Sequence, residues 1–192
     1  MTVIFIILAL FYFINGLIYL FAIIHLIFKK NKTSHSQNSL FPFVSVIIPS
    51  RNEFKNIDRC IECLTNQEYP EDQYEIIPVN DGSEDGTQER IDSIAENDKK
   101  VRPVHISSHQ RDNKGKIHAI NEGIQHARGD IIITTDADIW METNWISQMT
   151  KAFDKETGLV IGMTLDKFSN HPLHAFQALD GAGIRIIAAA LA

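Results

Sequence analysis

Residues 130–138 read DIIITTDAD, and the fold turns on how they are read. The β-branched run is continuous rather than alternating, the pattern of a strand covered on both faces. Two aspartates then flank a single alanine. Carboxylates at i and i+2 of a strand point the same way, and just past its end they can splay around one ion. Their mutual repulsion is costly unless a cation or a shared proton relieves it. Oxygen ligands select hard cations, and Mg²⁺ or Mn²⁺ binds through one or two carboxylates plus substrate phosphates. A diphosphate leaving group is what such a site would serve. In isolation D-x-D also suits a solvated turn or a helix cap, so the rest of the chain has to decide.

Outward from this stretch a regular alternation appears. VSVIIP (44–49) is a buried-strand run closed by proline, and NIDRCIECLTNQ (56–67) has apolar residues at 57, 60, 61 and 64, a helical spacing. YEIIPVN (74–80) reads as a second strand, in which Pro78 indicates an edge position or a local bulge. DGTQERIDSIAEND (85–98) reads as a helix, with Asp85 as N-cap and Gln88 at the capping-box position. VRPVHI (101–106) is a short third strand, GKIHAINEGIQHARG (115–129) a helix bounded by glycines, and DIIITTD (130–136) the fourth strand. A helix over 144–153 and a strand GLVIGMT (158–164) follow. Strands alternating with helices of these lengths predict βαβ units, hence an α/β domain with a mostly parallel sheet and flanking helices. Ligands of such sheets bind at the carboxyl ends of the strands. Here those ends carry PSRNE (49–53), NDGSEDGT (80–87) and DAD (136–138), all on one edge.

The N-terminus is of another kind. From Thr2 to Phe28 there is no Asp, Glu, Lys or Arg, and Asn15 and His25 are its strongly polar interruptions. At about 1.5 Å per residue a helix of that length exceeds the ~30 Å hydrocarbon core. A cleaved signal peptide would need a basic n-region, a shorter apolar core and a small-residue cleavage site, and the segment offers none of them. Residues 1–28 are therefore expected to be a retained transmembrane anchor, with 29–42 a basic and polar linker. Lys29, Lys30 and Lys32 follow the span, and the positive-inside rule places the rest of this single-pass chain in the cytoplasm, as at a bacterial inner membrane.

All 24 acidic residues lie beyond residue 32, together with 15 of the 18 basic ones. So acidic a domain is a poor candidate for nonspecific nucleic-acid binding, and neither a nucleic-acid nor a protein partner is indicated. A phosphate ligand remains compatible where a metal ion or local lysines supply positive charge. Lys114 and Lys116 stand at a helix start, against the dipole preference, as they would beside an anionic ligand or on a solvated face. Cys60 and Cys63 form a lone CxxC in the middle of a helix, which lacks the second pair of a zinc site and the helix-opening position of a redox motif. Two half-buried thiols in a reducing compartment is the expectation. His171 and His174 form HxxH, but Pro172 breaks the helix and no further ligand is visible, so they read as loop histidines.

Asp81, with the Gly82-Ser83 turn leading into a helix N-terminus, can read a base edge or a ribose hydroxyl, although turn chemistry alone explains those residue types. Taken together, VSVIIPSRNE, EIIPVNDGSEDGT and GKIHAINEGIQHARGDIIITTDAD resemble the family 2 glycosyltransferases in order and spacing, over about residues 43–164. The N-terminal anchor and FQALDGAGI resemble the membrane-bound members. The resemblance implies a GT-A (Rossmann-like) fold that binds a nucleotide sugar, UDP-linked, and transfers the sugar with inversion to a lipid or polysaccharide acceptor at the cytoplasmic membrane face. It implies that Pro49, Arg51 and Glu53 line the nucleotide pocket, that Asp81 contacts the base, and that Lys116 lies near the nucleotide and diphosphate. Asp138 would bind the metal, with Asp136 beside it and close to the sugar and nucleotide. The family often has a second aspartate where this chain has Asn80, which keeps hydrogen-bonding reach but not charge.

Domain boundaries follow: a nucleotide-sugar-binding domain over 43–170, then an amphipathic to apolar C-terminal helix over 171–192. Inverting transfer needs a general base for the acceptor hydroxyl. The resemblance puts that carboxylate in a later acidic motif, expected beyond residue 192, so no catalytic residue is assigned. The alternative reading is a nucleotide-sugar-binding module or fragment that binds without turnover. A nucleotidyltransferase ranks lower, because no glycine-rich activation loop is present, and a Rossmann dehydrogenase lower still, because no G-x-G-x-x-G follows the first strand.

Overall fold

Val44–Ser50 (β1) is a run of small and β-branched residues of which six are buried and one half-buried. It and Tyr74–Asp81 (β2), buried at every position, form the middle of the sheet, where helices cover both faces. The structure, a computed structural model, describes residues 2–28, 41–107, 115–154, 156–162 and 164. Lys114, the 29–40 part of the expected linker, His171, His174 and the expected C-terminal helix lie outside the described residues. Two compact units are distinguished, His35–Val160 and the pair Met1–Ser34 with Ile161–Ala192.

In the larger unit the chain runs from β1 through Ile57–Thr65 (α2) to β2, and through Thr87–Asn97 (α3) to Val104–Ile106 (β3). It continues through Gly115–His126 (α4) to Ile131–Thr134 (β4), and ends in Trp145–Lys151 (α5). The sheet order is β3-β2-β1-β4 and every pairing is parallel. Right-handed crossovers explain which face each helix takes. Moving outward from β1 to β2 to β3 puts α2 and α3 on one face, where Ile57, Ile61, Leu64 and Ile91 pack on Val44, Val46 and Ile48. Returning to β4 on the other side of β1 reverses direction, so α4 covers the opposite face, with Ala119 against Ile47, Ile77 and Val79. Gly123 lets α4 sit close: a Cβ there would lie 2.6 Å from Ile47 Cγ2.

Under this second face, at the end of the sheet away from the strand carboxyl ends, Glu75 is buried. Its Oε1 accepts from Ser45 Oγ (2.7 Å) and Arg128 N (2.9 Å), and its Oε2 from Arg128 Nη2 (2.7 Å) and Arg102 Nη1 (2.5 Å). Burial alone would raise its pKa, but these bonds outweigh it and hold the carboxyl down at about 2.

Four expectations are corrected. Pro78 is on neither an edge nor a bulge: β2 is interior. On the side where Ile76 N donates to Lys100 O, the next position is Pro78, and there the neighbouring chain is broken between the Val101 bridge and β3. The missing N–H therefore faces a gap, and the third strand shrinks to three residues plus that bridge. β4 is not covered on both faces. Ile131 and Ile133 pack into the α2–α5 face, while Ile132 is 38% exposed and Thr134 is exposed, because α4, the helix on that face, packs over β1 and β2. The first residue preceding α3 is Gly86 in the left-handed region (φ 93°) rather than Asp85. Asp85 still accepts from Thr87 N (3.1 Å), whereas Gln88 bonds Asn80 instead of closing a capping box. No strand forms over the described residues of 158–164, where Leu159 and Ile161 are both 76% exposed.

In the smaller unit the described element is Thr2–Phe28 (α1), with Phe5–Ile24 at a mean hydropathy of 2.4 and long and apolar enough to cross a membrane. Asn15 Nδ2 donates to Phe11 O at 2.9 Å, so its polar side chain is satisfied along its own helix.

Candidate active site

β1 has β2 on one side and β4 on the other, the switch point at which the connecting loops diverge and leave a crevice at the carboxyl ends. A cavity of ≈ 290 Å³ occupies that place. Pro49 near the end of β1, and Arg51 and Glu53 just after it, form one wall. Asp81 at the end of β2, Lys116 in the first turn of α4, and Asp136 and Asp138 after β4 complete it. All seven residues selected from the sequence thus border a single cleft.

The turn after β4 explains why an alanine separates the aspartates. Thr135 N donates to Ile47 O (3.1 Å), carrying the ladder one bond past the strand. Ile139 N then donates to Asp136 O (3.3 Å) and closes a turn. Ala137, 3% exposed, points its methyl into the core cluster that contains Ile133 and Met141. The inward methyl anchors the turn and leaves the carboxylates on either side to the cleft. Below it, the Cys60 thiol of α2 donates to Asp136 O at 3.6 Å. Cys60 is buried, not half-buried as expected, and Cys63 is half-buried; both are free. Burial pushes the Cys60 thiol up to about 12, helped by the negative field of Cys63, Asp138, Asp136 and Glu53. A thiol held protonated is neither a nucleophile nor a metal ligand at neutral pH, so Cys60 serves as core packing beneath the turn.

Lys116 Nζ pairs with Asp136 Oδ1 across the cleft. Both side chains are about half exposed, so water screens the pair and its effect is on position rather than stability. Glu53 has two tasks: its carbonyl accepts from Asn56 N and Ile57 N to start α2, and its Oε2 accepts from Asn56 Nδ2 (2.8 Å). Asn80 is buried and committed to its own turn. Its Oδ1 accepts from Ser83 N and its Nδ2 donates to Gln88 Oε1, both at 3.2 Å. Asp81 is the one that borders the cleft, 6% exposed, its carboxylate without a hydrogen-bond or ion-pair partner among the described residues.

Ser50, Gly115, Ala119 and Ala137 also line the cleft and were not singled out in the sequence. Their signal is negative, small side chains between functional ones, and it is visible only once the strand ends are superposed in space. Cys60 had a signal: it falls on the apolar stripe of α2 that faces β4.

Two hard carboxylate donors on one turn fit a divalent cation. Among the described residues no group of three or more His, Cys, Asp or Glu side chains gathers to hold one. The donor set therefore fits an ion that completes its shell with phosphate oxygens and water, as Mg²⁺ and Mn²⁺ do, and not a closed structural zinc site.

Solved structures share this architecture. The mannosyltransferase PcManGT of Pyrobaculum calidifontis, in complex with GDP-Man and Mn²⁺, aligns over 74% of this chain and 41% of its own, with 29% identity and a TM-score of 0.62. The fold is the GT-A class of α/β domain. Residues 45–179 match the model of Glycosyl transferase family 2, and the chain belongs to that family. It is 38% identical over 112 residues to glycosyltransferase AglE of Haloferax volcanii, covering 57% of this chain and 35% of the relative. It is 30% identical over 176 residues to a poly-beta-1,6-N-acetyl-D-glucosamine synthase of Staphylococcus epidermidis, covering 90% of this chain and 41% of the relative. The chain spans about a third of the length of the first curated relatives it matches.

Proposed function

We propose that this chain carries the donor-binding part of a membrane-anchored glycosyltransferase. It would transfer a sugar with inversion from a UDP-linked donor to a lipid or polysaccharide acceptor at the cytoplasmic membrane face. The observation that carries the reading is the meeting of Arg51, Glu53, Asp81, Lys116, Asp136 and Asp138 around one cleft at the switch point. Pro49, Arg51 and Glu53 border the nucleotide. Asp81, a nearly buried carboxylate with no side-chain partner among the described residues, takes the N–H of a uracil edge. Lys116 neutralises diphosphate charge, and Asp136 lies between it and the sugar.

Asp138 and Asp136 would hold Mg²⁺ or Mn²⁺, which supplies charge neutralisation for the departing diphosphate when bound. PcManGT, solved with GDP-Man and Mn²⁺, supports a nucleotide sugar and a divalent ion. The apolar α1 and the similarity to a polysaccharide synthase over 90% of the chain support the membrane and glycan assignments. The proton of the acceptor hydroxyl needs a general base, a role the family resemblance gives to a carboxylate of a later acidic motif.

Equilibrium binding of UDP and GDP to the chain in mild detergent with Mn²⁺ tests the reading. UDP is expected to bind about tenfold more tightly than GDP, and Asp81→Ala to erase that advantage, on the scale of one lost charge-assisted hydrogen bond. A preference for GDP would reassign the base, and binding of neither would contradict a nucleotide-sugar site.

A further inference from the structure

Asn52 separates Arg51 from Glu53 and is the one non-glycine residue with positive φ (55°) among the described residues. Left-handed backbone disfavours side chains in general, and asparagine tolerates it better than most. Its side chain is also engaged. Asn52 N donates to Ser83 Oγ (3.0 Å), and Asn52 Oδ1 accepts from Glu84 N (3.0 Å). The next two amides point the same way: Glu53 N donates to Thr87 Oγ1 (2.9 Å) and Phe54 N to Asp85 Oδ2 (3.1 Å). Three successive N–H groups of the loop after β1 therefore end on side chains of the loop after β2 and of the first residue of α3. Asn52 alone returns a side-chain oxygen in the opposite direction.

We propose that Asn52 is a positioning residue: its left-handed turn and its bonds to Ser83 and Glu84 clamp the loop of Arg51 and Glu53 to the loop that follows Asp81. This inference rests on the donor-site reading above and deepens it. The two clamped loops form the nucleoside side of the cleft. Asp136 and Asp138 follow β4 and Lys116 begins α4, elements to which the clamp makes no bond. Asn52 thus governs the affinity for the base and ribose and leaves the affinity for the diphosphate untouched. Loss of a merely structural bond would weaken both together.

The experiment compares UDP with inorganic diphosphate, each with Mn²⁺, on the whole chain in detergent, with thermal unfolding measured in parallel. Asn52→Ala loses the Glu84 bond and places alanine at positive φ; its UDP Kd is expected to rise about tenfold with diphosphate binding within about twofold of the parent. Asn52→Gly keeps the turn and loses the side-chain bond, for a rise of about threefold. Asn52→Asp retains the acceptor and restores UDP binding to within about twofold. Unchanged UDP affinity in Asn52→Ala, beside a parent that binds, would overturn the positioning role alone, as would equal weakening of UDP and diphosphate. A parent that binds no UDP at all would overturn the donor-site reading and this inference with it.

Discussion

Asp136, Ala137 and Asp138 divide their labour by direction: the methyl enters the core and the two carboxylates are left to the cleft. In the sequence the D-x-D pattern suited either a shared cation or an ordinary turn, and only its place after a buried strand favoured the cation. That the intervening residue must be small and apolar became visible only when its environment was. Glu75 is the opposite case. Nothing in YEIIPVN distinguishes its glutamate from a solvent-facing one, and its partners Ser45, Arg102 and Arg128 are 27 to 53 residues away in sequence. With a folded pKa of about 2 against an ordinary 4.5, Glu75 stabilises the domain above the unfolded value. That contribution is lost as pH falls through the interval down to about 2. Glu75→Gln is expected to cost about 3 kcal/mol at pH 7 and to flatten the acid limb of the stability profile, measured by denaturant unfolding from pH 2 to 7.

At the scale of elements, α4 connects packing to the site. Its close seat on β1 and β2, made possible by Gly123, sets where its first turn presents Lys116. Gly123→Ala would gain about 1 kcal/mol of helix propensity. It would also drive a Cβ to 2.6 Å from Ile47 Cγ2 and 3.1 Å from Val79 Cγ2, and such overpacking costs about 1–3 kcal/mol. The packing cost is expected to win, giving a chain less stable by about 1 kcal/mol in denaturant unfolding despite a better helix former. Helices and strands with strong periodicity were legible almost to their ends, because burial and local pattern agree there. Pro78, the exposed face of β4 and the irregular 158–164 stretch were not. The first two depend on what the neighbouring chain does: a gap opposite Pro78, and an α4 that packs over β1 and β2. A single segment does not encode its neighbour's absence.

At the scale of the whole molecule, the site exists because the winding reverses. Two crossovers outward and one back leave β1 between β2 and β4, and the residues at three strand ends and one helix start then share a crevice. This much was readable in outline, since alternating strands and helices predict a sheet and polar strand ends predict an edge. The clamp through Asn52 was not, because left-handed backbone leaves no mark on composition. The central claim is that the crevice binds a nucleoside diphosphate through a divalent ion held by Asp138. Its most direct test is a calorimetric titration of UDP into the chain in detergent, with and without Mn²⁺, for the parent and for Asp138→Ala. The account predicts that Mn²⁺ tightens UDP binding by at least about tenfold in the parent and by less than about twofold in Asp138→Ala. UDP binding that is indifferent both to Mn²⁺ and to the loss of Asp138 would contradict it.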